Sequence, residues 1–375
     1  MARWHLITGE YPPAFGGVAD YSRIVAVELA RAGELVSVWT PAASGFEPGD
    51  AGVEVNRVPD HFGPRALWAI GRGIARNPGR ILVQYVPHSL GAKAMNLPFC
   101  LWLASCRQPV WTIFHEVEVG FRRGQPLRHH VLATVNRAMA AATVRASERV
   151  FIVTLQWEKL LRRLDSQKNL ELMPVPSNIA VNHNREEICA MRARFASAGD
   201  VLIGHLASPR DPTMAETLGT AVETAFGENP DARLLILGNG GEDLRRRIVA
   251  ARPAIDSRMS ASGRLTEADL SCGLGACDLI VQPYPDGISM RRTSAMAALA
   301  HRRALLTTET DITEPLWHNE NAVALAPAGD TDALGHALAG LISNAQHRAQ
   351  LAAAGADLYA RRFDVTHTIA ALLAA

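Results

Sequence analysis

Asp286, Ser289, Arg291, Arg292 and Thr293 crowd into one short loop of this 375-residue sequence. A carboxylate accepts hydrogen bonds from sugar hydroxyls, guanidinium groups pair with phosphate, and the free N–H groups at a helix start favour an anion. Such a set suits a ligand that is part sugar and part phosphate. The elements that must hold it are legible around it. An apolar run at 279–281 reads as a buried strand, and Pro283, Pro285 and Gly287 break it. An Ala/Met/Leu helix then runs over 294–300, with a second strand at 304–308. In a doubly wound sheet a loop of this kind lies outside the carboxyl ends of the strands, where ligands bind.

The rest of the chain repeats the strand, loop and helix pattern. A strand at 4–8 leads through a Pro-rich loop to Gly16 and Gly17, then to a helix carrying Ile24, Val25 and Leu29, closed by Gly33, and to a strand at 35–39. Glycines just before a helix let a backbone approach a phosphate or sugar closely, and a tight turn calls for them equally. A dinucleotide fold would need G-x-G-x-x-G after the first strand and an acid closing the second. Neither is present, because the second strand ends Val38-Trp39-Thr40 and GRGIAR at 71–76 precedes a strand. Hydride chemistry is therefore set aside.

Further strands are expected at 81–86, 110–114 and 150–154, with polar residues at their ends: His88, His115, Glu116 and Gln156. The stretch 121–149 is rich in arginine and alanine and reads as one or two helices, either a solvated basic face or a membrane contact. A Pro-broken stretch at 168–179 reads as a linker. The second half opens with a strand at 201–206, followed by strands at 234–237 and near 323–326 and helices at 270–276, 333–342 and 348–359.

The totals bound the reading. The length allows two domains, each with its own core, and 48% hydrophobic with 20% charged residues describes a globular chain. No apolar run reaches the roughly 18 residues of a spanning helix, and Met1 leads quickly into a strand, so the expectation is a cytoplasmic enzyme or binding protein. Five cysteines form neither a CxxC pair nor a zinc spacing, and no Asp-x-Asp stands at a strand end, so no metal is expected. The net charge of +1 conceals a cationic first half, 20 Lys and Arg against 14 Asp and Glu in residues 1–178. No nucleic-acid module is present.

The segment Asp286-Gly287-Ile288-Ser289-Met290-Arg291-Arg292-Thr293-Ser294-Ala295-Met296-Ala297 resembles the donor-binding motif of retaining glycosyltransferases of family 4, Glu-Gly-Phe-Gly-Leu-Pro-x-x-Glu-Ala-Met-Ala. The first acid is kept as Asp286 and the second is Ser294. Gly-Gly-Val-Ala-x-Tyr after a Pro-rich loop resembles the family's opening. The resemblance implies an α/β GT-B fold of two facing Rossmann-like domains with parallel sheets. Its parts would be an acceptor-side domain at 1–178, a nucleotide-sugar domain at 179–360, and a terminal helix at 361–375 crossing back to the first.

It also implies roles. Asp286 would hold the donor sugar and His115 would reach toward it. Gly16 and Gly17 would lie against the donor phosphates or the acceptor. His205 stands where the family's diphosphate-gripping arginine belongs and Arg210 where its lysine belongs, and Arg291 or Arg292 would restore the lost charge. Gly263, Arg264 and Leu265 match the segment that cups the base, and Gly287, Ile288, Ser289, Met290 and Ser294 complete the donor site. The implied activity is transfer of a sugar from a nucleotide-diphosphate sugar, by default a UDP-sugar, to a hydroxyl of a glycan, lipid-linked or small-molecule acceptor, with retention and no cofactor. A sugar-nucleotide epimerase or hydrolase, or a non-catalytic sugar-binding scaffold, are the alternatives.

Overall fold

Runs of Val, Ile and Leu without polar alternation make strands buried on both faces, which assemble into parallel sheets covered by crossover helices. The computed structural model describes residues 1–14, 16–45, 49–117, 124–207 and 213–374 and contains two such sheets. Each lies in one of two units into which the chain divides, Met1–Val175 with Val365–Ala375, and Pro176–Asp364.

Along the first unit run β1 (Arg3–Thr8), α1 (Gly17–Arg31), β2 (Leu35–Pro41), β3 (Val53–Val58), α2 (Pro64–Arg76), β4 (Arg80–Tyr85), α3 (Leu97–Ser105), β5 (Val110–Phe114), α4 (Leu127–Ala146), β6 (Arg149–Ile152), α5 (Gln156–Leu164) and β7 (Leu170–Leu172). The sheet order is β3-β2-β1-β4-β5-β6-β7, with all neighbours parallel. The order reverses between β1 and β4, which is where a doubly wound sheet opens a crevice at its carboxyl edge. Ile70, Phe99, Met139 and Leu161 from α2 to α5 share one core cluster with Ile81 and Val83 of β4. Local signals fit these elements: Pro64 opens α2, and Asn96 caps α3 by accepting from the Phe99 N–H at 3.2 Å.

Two local expectations need correction here. The stretch read as a linker contains β7, whose Leu170–Leu172 pairs with residues 150–152 of β6. An edge strand of three residues is too short to show a period of two, so the prolines after it dominated the reading. Arg149, grouped with the basic helical stretch, instead opens β6 and pairs with Glu171 across the edge.

The second unit holds α6 (Arg185–Ala193), β8 (Val201–Leu206), α7 (Met214–Glu228), β9 (Ala232–Leu237), α8 (Gly241–Ala251), β10 (Met259–Ala261), α9 (Glu267–Ala276), β11 (Leu279–Gln282), α10 (Thr293–Ala300), β12 (Ala304–Glu309), α11 (Leu316–Asn319), β13 (Ala324–Pro327), α12 (Thr331–Ser343) and α13 (Ala345–Arg362). Its sheet, β10-β9-β8-β11-β12-β13, is again parallel and reverses between β8 and β11. One face buries α7, α8 and α12, and the other buries α9, α10 and α13. The last helix, α14 (Val365–Leu373), belongs to the first unit, where Leu372 is buried in one cluster with Val25 and Leu29 of α1.

Candidate active site

The loop between β11 and α10 is stitched to the end of β12. Thr307 Oγ1 donates to the Gln282 carbonyl at 2.8 Å, Thr308 Oγ1 donates to the Tyr284 carbonyl, and the Ile288 N–H donates to the Thr308 carbonyl at 2.7 Å. Thr310 Oγ1 donates to the Asp286 carbonyl at 3.1 Å. Gly287 turns with φ +78°, and a Cβ there would stand 2.6 Å from Thr313 Oγ1 and 3.0 Å from the Thr310 nitrogen. A side chain therefore has neither the backbone conformation nor the space. Beneath the loop the Glu314 carboxylate, 3% exposed, accepts from the Trp317 indole N–H at 3.0 Å and from the Met290 N–H at 3.4 Å. A buried carboxylate tied to loop backbone fixes that backbone in place.

This scaffold presents a charged cluster. The Asp286 carboxylate pairs with Arg292 and, at 3.3 Å, with Arg291. The Arg292 guanidinium also lies 4.5 Å from the Tyr284 ring centroid, a cation–π stack. Tyr284 Oη and Ser294 Oγ are 2.7 Å apart, and burial holds the Tyr284 phenol up at about 12, so it stays protonated. Ser289 is 2% exposed and its hydroxyl has no partner among the described residues. The N-cap residue of α10, Arg292, makes no side-chain cap bond, and the Tyr284 phenol oxygen accepts from the Ala295 N–H of the first turn. Among the described residues Asp286 alone pairs with both guanidiniums, and the Glu314 carboxylate is taken up by the Trp317 indole and the Met290 N–H.

Neighbouring strand ends extend the same edge. His205, fully buried at the end of β8, has Nδ1 at 2.9 Å from the Val281 carbonyl; a carbonyl only accepts, so Nδ1 carries the proton. Gln282 accepts from the Leu206 N–H and donates to the Leu206 carbonyl, bridging β11 and β8 at the switch point. The Ser262 hydroxyl accepts from the Gly238 N–H and donates to the Gly263 carbonyl, joining the ends of β9 and β10. Gly263 has φ +67° and open space around it, and Arg264 beside it is exposed.

In the first unit the carboxyl edge gathers a second group. His115, at the end of β5, donates from Nε2 to Gln84 Oε1 at 2.6 Å and packs edge-on against Tyr21, ring centroids 4.9 Å apart. Burial drives its pKa down to about 4 against the opposing pull of Glu116, so the imidazole is neutral at pH 7. His88 stands between two carboxylates, Nδ1 at 3.2 Å from Glu116 and Nε2 at 3.9 Å from Glu10. Gly16 opens α1 beside Glu10, where a Cβ would meet Glu10 Oε2 at 2.7 Å, and Gly17 faces open space.

The structure thus brings Asp286, Gly287, Ile288, Ser289, Met290, Arg291 and Ser294 into one loop and its helix start. His205, Gly263, Arg264 and Leu265 lie on the same edge of the second sheet. Gly16, Gly17 and His115 share the carboxyl edge of the first sheet. Arg210 lies outside the described residues. Sequence reasoning passed over Tyr284, Thr308, Thr310 and Glu314, which position the loop, and gave no role to Glu10 in the first unit; His88 was noted only for its place after a strand. Glu314 had one usable signal, a carboxylate three residues before a tryptophan.

Two Rossmann-like α/β units with parallel sheets are the GT-B architecture, and solved structures match it over nearly the whole chain. Sucrose-phosphate synthase from Thermosynechococcus elongatus superposes with TM-score 0.72 at 17% identity, covering 98% of this chain and 96% of that one. HepE from Anabaena in complex with UDP and glucose gives TM-score 0.71 at 15% identity and full coverage of both chains. A glycosyltransferase from Rickettsia africae gives 0.71 at 12% identity, covering 97% and 95%. No curated protein matches the chain in sequence. A family model for a glycosyl transferase 4-like domain matches residues 16–176, and one for glycosyl transferases group 1 matches residues 201–344. The chain belongs to the family 4-like GT-B glycosyltransferases.

Proposed function

We propose that this glycosyltransferase moves a sugar from a nucleoside-diphosphate sugar to an acceptor hydroxyl with retention of anomeric configuration. The observation that carries the reading is the loop between β11 and α10, where Arg291 and Arg292 pair with Asp286 and the loop leads through the buried Ser289 into the start of α10. UDP is the default nucleotide, supported by HepE of the same fold, which has been solved with UDP-glucose. Asp286 accepts from donor-sugar hydroxyls. Arg291 and Arg292 face the charge that grows on the departing diphosphate, where fixed cations and amide dipoles lower the barrier, and Arg210 is assigned the same role from its place in the sequence.

The acceptor oxygen forms its bond to the anomeric carbon as the bond from that carbon to the phosphate oxygen breaks. The acceptor's proton passes to the departing phosphate on the same face, so no protein base is consumed. Neutral His115 suits a hydrogen-bonding role toward the sugar, since it carries no charge to neutralise at pH 7. The backbone at Gly263 to Leu265 cups the base, and Ser294 with Tyr284 meets the ribose through neutral hydroxyls. The proposal includes no metal. The cytoplasm is the proposed compartment, consistent with free cysteines throughout.

The test is a thermal-shift and calorimetric screen of nucleotide sugars, followed by mass spectrometry of products from candidate glycan, lipid-linked and small-molecule acceptors. A glycosylated product with the donor's anomeric configuration is expected. Free sugar released without acceptor would make the protein a hydrolase, and binding of no nucleotide would make it a scaffold.

A further inference from the structure

Gln84 interrupts the apolar run from Ile81 to Val86, most of which forms β4. Its side chain is fully buried. Alternation along the strand places it on the face of Leu82, whose core cluster holds Tyr21 and Val25 of α1. Gln84 Oε1 meets His115 Nε2 at 2.6 Å, and Gln84 Nε2 has no partner among the described residues. Burying an amide with one polar group unsatisfied costs stability. An apolar side chain of similar length would fill the place without that cost, so packing does not account for the glutamine. An exception of this kind calls for a reason in function.

His115 is pinned on every other side. Its N–H donates to the Tyr85 carbonyl at 3.1 Å, its carbonyl accepts from the Trp157 indole N–H at 3.1 Å, and Tyr21 packs against its ring. The freedom left to a neutral imidazole so held is which nitrogen carries the proton. A carboxamide oxygen only accepts, so the proton stands on Nε2. Nδ1 keeps its lone pair and has no partner among the described residues. We infer that Gln84 is a positioning residue for glycosyl transfer, fixing His115 in the tautomer whose Nδ1 accepts a hydrogen bond from a substrate hydroxyl. A diphosphate oxygen carries no proton to offer at neutral pH and finds no partner there, so the contact selects a hydroxyl. The charged and titratable groups near the ring are Glu116, with His88 beyond it, and Tyr21, which burial keeps protonated. The role given to Gln84 rests on the transfer reading above, whereas the tautomer is measured without donor or acceptor.

The full chain, isotope-labelled at histidine, is studied by nitrogen NMR at pH 7, with the His115 signals assigned by their loss in His115→Asn. A protonated Nε2 and a bare Nδ1 are expected. Gln84→Met keeps the length and removes the carboxamide; it should melt with wild type or above it, yet lose about tenfold or more in kcat/KM. Gln84→Glu sets a carboxylate against the ring and draws a second proton onto it, so that Nδ1 donates instead of accepting. Its transfer should be depressed near pH 6 and recover as pH rises, while wild type, whose His115 titrates at about 4, stays level. A packing role produces no such recovery. Should Gln84→Glu fail to fold, the tautomer and Gln84→Met decide. A proton on Nδ1 of wild type overturns the inference, as does undiminished transfer by Gln84→Met. Absence of transfer by wild type with every donor would instead sink the transferase reading, and the role of Gln84 with it, whatever the tautomer.

Discussion

Replacing Asp286 by asparagine separates a ligand-binding carboxylate from a structural one. The substitution keeps shape and one oxygen acceptor and removes the charge. In the fold Asp286 is 44% exposed and its two arginine partners 26% each. Ion pairs this wet contribute about 0–1 kcal/mol, which in a unit of this size moves a melting midpoint by at most about 2–4 °C. A carboxylate accepting hydrogen bonds from donor-sugar hydroxyls contributes more, about 1.5–3 kcal/mol. Its loss lowers kcat/KM roughly 10- to 150-fold. Removing the negative charge also leaves Arg291 and Arg292 with less competition for a diphosphate, so UDP affinity should hold or rise. The assay pairs steady-state transfer with calorimetric titration of UDP and a thermal melt on the same preparation. The expected pattern is a large loss of turnover with nearly unchanged melting and undiminished UDP binding. UDP affinity falling in step with turnover, or a melting drop well beyond 5 °C, would show that Asp286 holds the arginines rather than the sugar.

Other consequences follow from the same geometry. The native His115 pKa near 4 lies below its ordinary 6.5, so the stability it contributes is complete above pH 6.5 and is lost as pH falls toward 4, at up to about 1.4 kcal/mol per pH unit. Urea melts of wild type and His115→Asn across that window should diverge; subtraction matters because burial also lowers His5 and His301. Parallel curves would refute a neutral native imidazole. Gly287→Ala, forced to φ +78° against Thr313, should cost about 1–3 kcal/mol in denaturant melts and weaken donor binding. Glu314→Ala strands the buried Trp317 indole N–H, a loss of about 1–3 kcal/mol that Glu314→Ala combined with Trp317→Phe should partly restore. Arg210→Ala should lower turnover by roughly a hundredfold if it faces the growing phosphate charge, and near-normal turnover would remove it from the mechanism.

The carboxyl-edge loops could be read from the sequence because local order made them. An apolar strand, a proline and glycine break and an Ala-rich helix specify where 283–292 must lie in a parallel sheet, whatever the rest of the chain does. The parallel architecture was equally legible, since strands such as β5 and β11 show no alternation and so declare both faces covered. Short edge elements such as β7 were not, because three residues carry no period. Nor was the pairing of Asp286 with Arg291 and Arg292: a carboxylate five and six residues before two arginines has many rotamers open to it until Gly287 turns the chain and the end of β12 pins it. His115 could be named from its place after a strand, but its neutral state needed the enclosing Tyr21 and Gln84, which come from other strands and helices. Sequence settles which residues stand at strand ends. Burial, and with it charge state and ion-pair partners, depends on what other segments bring alongside, and that is decided in three dimensions.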